Sequence, residues 1–298
     1  MDAPFVEVTF ELGELDADAA YAACAACGAT AVTFTDAGDT PVLEPLPGEF
    51  LLWSATRVCA LFPAQTDTAA AALLRALGAT LARCTGNLRM QPVPDKVWER
   101  EWLKDFHALR FGRRLWICPR HENVADPASA VVHLDPGLAF GTGTHATTAL
   151  CLEWLDQHIQ CGERVIDYGC GSGILALAAI KLGAGHAFCF DIDPQALTAT
   201  RGNADANEVA AQVSVCARAD DLPRANDLVI ANILAAPLCA LAAVFAELVR
   251  PGGTLLLAGL LEDEAHEVTR ANDACFHMQP CGTRAGWVAL SGRRREHC

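Results

Sequence analysis

Three glycines at alternate positions, Gly169, Gly171 and Gly173 in the segment DYGCGSG, follow an apolar stretch, ERVIDYG, and open an alanine-rich one, SGILALAAIKLG. Glycines between a strand and a helix let the backbone approach a ligand closely and direct helix N–H groups at it. A dinucleotide fingerprint would carry its third glycine where Ile174 stands, which weakens a pyrophosphate reading. A glycine loop after a strand ending in Asp167 suits an adenosyl ligand without a pyrophosphate. Asp191 ends the next strand-like stretch, HAFCFDID, and a carboxylate there offers two oxygens to the two hydroxyls of a ribose. A tight turn accounts for any one of these glycines alone. It does not account for strand, glycine loop, helix, strand and acid in that order.

A second glycine-rich stretch, LDPGLAFGTGTHATTAL, precedes the first, with Gly137, Gly141 and Gly143, a lone His145, and Thr147 and Thr148. His145 has the chemistry of a base, but a lone loop histidine is more often structural, and it is not counted among the catalytic residues. Trp98, Trp102 and His107 read as packing groups. Cys24 and Cys27 form a CxxC inside an alanine-rich helical pattern with no second pair or nearby histidine, so they read as small packed side chains and no metal site is expected.

These residues need elements to hold them. From about residue 131 the chain alternates strand and helix: strands at 163–169, 186–193, AQVSVCA and 226–232, a helix SGILALAAIKLG closed by Gly183, and a helix opened by Pro194 that runs toward Asn207. A helix LAAPLCALAAVFAELVRPGG, a strand TLLLAGL, a helix EDEAHEVTRAND and two final strands complete a doubly wound α/β domain, with ligand expected at the C-terminal ends of its strands. The first ninety residues read differently. Strands at 4–12, 29–35, 56–62 and 81–91 alternate with helices from Asp16 to Cys27 and at 67–78, giving βαββαβ, the order of a ferredoxin-like sandwich. No catalytic constellation appears there, which suggests a binding module. The expected organisation is a small α+β domain over residues 1–91, a connector over 92–130 containing a short strand at 113–119, and the α/β domain over 131–298.

The composition sets limits. A 52% hydrophobic, 19% charged chain of 298 residues is not disordered over most of its length. No apolar run reaches the ~18 residues of a membrane span. The acidic start, MDAPFVEVTFELGELD, lacks the features of a signal peptide. The 14 scattered cysteines fit a reduced compartment, so the expected location is cytoplasmic. A net charge of −14 argues against a general nucleic-acid binder and is compatible with a basic partner.

VIDYGCGSGILALAAIKLGA followed by FDIDPQAL resembles the cofactor half of a class I S-adenosylmethionine-dependent methyltransferase. LDPGLAFGTGTHATTAL with ANILAAPL is far more restricted, and together with WEREWLKDFHALRFGRRLWICP it resembles the ribosomal protein L11 methyltransferase family over essentially the whole chain. The resemblance implies a Rossmann-like seven-stranded class I domain preceded by a ferredoxin-like domain that holds the protein substrate. It implies methyl transfer from S-adenosylmethionine to amino groups of L11, lysine side chains and the N-terminal α-amine, by a monomer with no direct nucleic-acid or membrane contact. In this reading Gly169 and Gly171 lie against the cofactor, Asp191 takes its ribose and Thr148 reaches its methionine part. Asn232 faces the reacting end, as both a cofactor contact and the catalytic residue. Many amino-group methyltransferases carry Asn/Asp-Pro-Pro-aromatic after the fourth strand, whereas Asn232-Ile233-Leu234 follows the L11 family instead. Two other readings stay open: a methyltransferase for another protein lysine or a small amine, and a non-catalytic S-adenosylmethionine-binding module.

Overall fold

A computed structural model describes residues 5–38, 52–63, 67–81, 88–93, 107–124, 126, 128–134 and 143–297. The chain forms two compact units, Met1–Glu101 and Trp102–Cys298. Among the described residues no helix is long and apolar enough to cross a membrane.

The first unit contains β1 (Phe5–Glu11), α1 (Ala17–Ala26), β2 (Ala31–Asp36), β3 (Thr56–Pro63), α2 (Asp67–Thr80) and β4 (Arg89–Val93). The strands pair in the order β2-β3-β1-β4, every pair antiparallel, which is the ferredoxin-like arrangement. Strand alternation builds its core: Val8, Phe10, Val58, Ala60 and Phe62 are buried, and Ala20, Ala23, Cys24 and Leu77 cover them from the helices. Asp16 caps α1 by accepting the Ala19 N–H at 3.0 Å. The fourth strand lies at Arg89–Val93, at the far end of the 81–91 stretch expected to form it. Residues 82–87 of that stretch, and the turn-rich residues 39–50, lie outside the described residues.

In the second unit, the part of the expected connector from residue 107 onward is built into the fold. There β5 (Leu109–Phe111), β6 (Leu115–Cys118) and β7 (Ala130–His133) form a three-stranded sheet. Phe111, Leu115, Ile117 and Val132 are buried in the same core as the glycine-loop helix. The tight turn between β5 and β6 is held by Asp156, whose carboxylate accepts the backbone N–H groups of Arg113 at 2.6 Å and Arg114 at 3.0 Å. Gly112, at φ +69°, leaves room for that carboxylate; a Cβ there would collide with it. A buried carboxylate accepting two amides leaves both unpaired when removed. Asp156→Ala is therefore expected to cost about 3 kcal/mol, read as a lower denaturation midpoint in guanidinium. Trp98 and Trp102 lie outside the described residues. His107 corrects its expectation: its side chain is 72% exposed and its Nδ1 sits 2.8 Å from Glu122 Oε1, a surface pairing instead of a packing group.

The remaining elements are α3 (Ala146–His158), β8 (Arg164–Tyr168), α4 (Ile174–Leu182), β9 (His186–Phe190), α5 (Pro194–Ala206), β10 (Val213–Cys216), β11 (Asn226–Asn232), α6 (Ala235–Ala240), α7 (Ala242–Leu248), β12 (Val249–Leu261), α8 (Ala265–Asn272), β13 (Phe276–Arg284) and β14 (Trp287–Arg294). They make a seven-stranded sheet in the order β10-β9-β8-β11-β12-β14-β13, parallel from β10 to β12 and antiparallel at β14 and β13. Both faces are buried, so these strands read as apolar runs, and successive residues go to different cores. Leu228, Ile230, Leu256 and Ala258 pack with α3 and α4. Val229, Ala231, Leu255 and Leu257 pack with α6, α7 and α8. The stretch expected to be one helix, LAAPLCALAAVFAELVRPGG, is instead two short helices broken at Leu241, whose ψ of 5° departs from helical geometry. Its Pro-Gly-Gly end belongs to β12, where the ladder with β11 shifts register between Asn226 and Leu228. The β13–β14 hairpin closes on Ala285 and Gly286, both at positive φ, as a tight two-residue turn requires.

Candidate active site

The parity of β8 and β11 decides which side chains meet. Asp167 shares a face with Val165, and Asn232 shares one with Leu228 and Ile230, so both are directed to the side covered by α3 and α4. There Asp167 Oδ2 accepts the Ala176 N–H of α4 at 3.1 Å. Asn232 Nδ2 donates to Thr148 Oγ1, in the first turn of α3, at 3.3 Å. Two residues far apart in sequence are thus joined at the C-terminal ends of the parallel strands.

The glycine turn links the end of β8 to α4. Gly169, Gly171 and Gly173 have φ of +79°, +53° and +80°, a left-handed region that strains other residues. The N–H groups of Gly169 and Cys170 donate to Phe190 O at 2.7 and 3.0 Å, which ties the turn to the end of β9. Asp191 follows directly. Its Oδ2 accepts the Gly171 N–H at 2.9 Å and its Oδ1 accepts the Asp193 N–H at 2.9 Å. Each carboxylate oxygen has two acceptor directions, so capacity for a ribose remains. Beside it Ile192 is 91% exposed, an aliphatic side chain open at the surface.

Several supports have little signature in the sequence. Thr200, fully buried on α5, donates from Oγ1 to Gly171 O at 3.0 Å, and a Cβ at Gly173 would come within 2.8 Å of its methyl. Its one signal was a threonine in the apolar stripe that Ala196, Leu197 and Ala204 form along α5. Asn203 Nδ2 donates to Ser172 O at 2.9 Å. Asn207 pairs with the backbone of His133 like an added strand, accepting its N–H and donating to its carbonyl, each at 2.7 Å. His145 is the N-cap of α3: its Nδ1 accepts the Thr147 N–H, and its ring stands edge-on to Trp287 with centroids 5.1 Å apart. Residues 135–142, with Gly137 and Gly141 of the second glycine-rich stretch, lie outside the described residues.

The sequence matches the family described as Ribosomal protein L11 methyltransferase (PrmA) over residues 4–295. The chain belongs to the ribosomal protein L11 methyltransferase family. Its curated relatives include a protein named ribosomal protein L11 methyltransferase from Vibrio cholerae serotype O1 (strain M66-2), 49% identical over 270 residues, covering 90% of each chain. Another of that name, from Pseudomonas aeruginosa (strain LESB58), is 47% identical over 297 residues, covering 98% of this chain and 99% of its own. Among solved structures, a ribosomal protein L11 methylase from Lactobacillus delbrueckii subsp. bulgaricus superposes with a TM-score of 0.59 at 29% identity, covering 64% of this chain and all of its own. As a member of this family the chain is a methyltransferase.

Asp167, beneath the glycine turn, has a distinct electrostatic character. The carboxyl is 1% exposed, and among the described residues its Oδ1 has no hydrogen-bond partner. Burial pushes its pKa up to about 7, with the Ala176 N–H opposing and the nearby Asp191 carboxylate reinforcing the rise. A folded-state pKa above the unfolded value of about 3.9 means that the folded protein holds the extra proton between those two values. Stability contributed by this group is therefore present at low pH and is lost as pH rises from about 4 to about 7. Asp167→Asn is expected to flatten that part of the stability profile, measured by guanidinium melts of ligand-free protein. An unchanged slope would place the titration elsewhere.

Proposed function

We propose that this chain transfers methyl groups from S-adenosylmethionine to amino groups of ribosomal protein L11, lysine side chains and the N-terminal α-amine. The observation that carries this reading is the Asn232–Thr148 hydrogen bond beside a left-handed glycine turn, in a chain whose relatives are named for L11 methylation. The site fits the cofactor on three counts. The glycine backbone is open to close approach, Asp191 has free acceptor directions next to an exposed aliphatic surface, and the buried Asp167 Oδ1 lacks, among the described residues, a partner that a ligand donor or bridging water would supply. Gly169 and Gly171 would hold the cofactor backbone, Asp191 its ribose, Thr148 its methionine end, and Asn232 the reacting end. When bound, the cofactor supplies an electrophilic sulfonium methyl.

The protein's own residues supply orientation. With Nδ2 of Asn232 donating to Thr148, its amide oxygen is the group that accepts an N–H of the incoming amine. That contact fixes the direction of the nitrogen lone pair. An amide does not titrate in the working range, so Asn232 positions a neutral amine and does not deprotonate it; positioning then supplies most of the rate. The unit Met1–Glu101 is the proposed docking module for L11, and the enzyme is proposed to act as a cytoplasmic monomer without nucleic-acid contact. The net charge of −14 supports a basic protein substrate over a nucleic acid.

Calorimetry tests the cofactor half of the reading. S-adenosylhomocysteine is expected to bind and NAD to give no heat. Asp191→Ala is expected to weaken binding by about 1–3 kcal/mol, because it removes both the ribose acceptor and the anchor of the Gly171 N–H. Full affinity in a folded Asp191→Ala protein would remove Asp191 from that role.

A further inference from the structure

We infer that Gly259 is a positioning residue for the transfer reaction, because the backbone of Ile233, the residue after Asn232, is seated where any side chain at residue 259 would stand. The inference rests on the functional reading of Asn232 given above. The parallel ladder between β11 and β12 ends with Asn232 opposite Ala258, and the Ile233 N–H then donates to Ala258 O at 3.1 Å. The next residue of β12 is Gly259, at φ +87°. A Cβ there would lie 2.8 Å from Ile233 C and 2.9 Å from Ile233 N, and closer still to Ile233 O. All three atoms are backbone, so no rotamer change relieves the contact; the peptide itself has to move. The pairing of β12 with β14 is irregular at the same point, its register shifting between Leu257 and Leu260. Gly259 thus sits where the strand departs from regular pleating and lets the β11 turn lie against it.

The other side of the turn is held as well. A Cβ at Gly169 would come within 2.5 Å of Ile233 Cγ2, so the Ile233 side chain rests on the first glycine of the cofactor turn while its backbone rests on Gly259. Ile233 is clamped between two glycines, and Asn232, one residue earlier, reaches Thr148 from that fixed base. A shift of the Ile233 backbone would move the adjoining Asn232 and its side-chain amide. Gly259 itself is none of the residues assigned to the cofactor, so its replacement separates amine positioning from cofactor binding.

The test compares Gly259→Ala, Asn232→Ala and the double variant, using S-adenosylhomocysteine for calorimetry and L11 with S-adenosylmethionine for turnover. The expected result is a folded Gly259→Ala protein with S-adenosylhomocysteine affinity within about twofold and turnover reduced about tenfold or more. In the Asn232→Ala background the Gly259 change should have no further effect, since both act on one contact. A crystal structure of Gly259→Ala should show Asn232 displaced from Thr148. Gly259→Asn tolerates positive φ yet keeps a Cβ, and should lose turnover equally. Unchanged turnover, full additivity with Asn232→Ala, rescue by Gly259→Asn, or an intact Asn232–Thr148 bond in the crystal would each overturn the inference. If no Gly259 variant folds, Ile233→Ala loosens the clamp from the opposite side, and its effect must again vanish in the Asn232→Ala background; additivity there overturns the inference. Should Asn232→Ala alone leave turnover unchanged, the functional reading of Asn232 fails, and the crystal structure still decides whether Gly259 sets the turn.

Discussion

Asn232→Ala is expected to reduce methyl transfer to L11 by about 10²-fold while cofactor affinity changes by no more than a few-fold. The asymmetry follows from where Asn232 stands. It ends β11 on the face shared with Leu228 and Ile230, and among the described residues its side-chain amide donates to the Thr148 hydroxyl, not to the glycine turn or Asp191. Removing the amide leaves Gly171 N–H on Asp191 and Gly169 N–H on Phe190 O, so the cofactor cradle keeps its shape. What disappears is the acceptor proposed to fix the amine, and angular freedom at a reacting nitrogen is costly. Turnover is to be measured at saturating L11 alongside calorimetric affinity for S-adenosylhomocysteine. Equal losses in both would make Asn232 a cofactor contact only.

The second large effect is a separation of tasks. A fragment beginning near residue 102, the start of the second unit, is expected to fold, bind S-adenosylhomocysteine as the full chain does, and lose roughly 10²–10³-fold in kcat/KM for L11. Each unit has its own sheet and its own core, with Val8, Phe10 and Phe62 in one and Leu177, Ile230 and Leu256 in another. The proposed cofactor and catalytic residues all lie beyond residue 140, on the second unit. Loss of the first unit therefore leaves the site whole and removes the surface proposed to deliver L11. A fragment that methylates L11 as efficiently as the full chain would show that Met1–Glu101 is not a substrate module. A fragment that fails to bind cofactor would show that the units are not independent.

The legible parts of this protein were those in which one local segment carries its own physics. Strand, glycine turn and helix from Arg164 to Leu182 are contiguous, and Gly173 and Gly183 mark both ends of α4 with positive φ. Asp193 and Pro194 announce α5 in the same way. The βαββαβ order of the first ninety residues was readable from period-two strands alone, although a pattern cannot give the register that puts β4 beside β1. The parts that were not legible depend on contacts between distant segments. Thr200 is an ordinary threonine until α5 lays it beneath Gly171. Gly259 sits in an apolar run, GTLLLAGLL, and only the return of β11 beside β12 shows why it lacks a side chain. The break at Leu241 was hidden because alanine and leucine favour helix on either side of it. Likewise, nothing around Gly112 in FGRRL names Asp156 as the group that holds the turn.

The proposed methylation of L11 amino groups with S-adenosylmethionine has a direct mass-spectrometric test. Purified full-length protein is to be incubated with unmethylated L11 and S-adenosylmethionine, and the L11 analysed by intact-mass and peptide mass spectrometry, with Asn232→Ala in parallel. Mass increments of whole methyl groups are expected on lysine side chains and the N-terminal amine of L11, matched by S-adenosylhomocysteine formed, and about 10²-fold slower in the variant. L11 that stays unmodified while the same protein binds S-adenosylhomocysteine and methylates a different amine would contradict it.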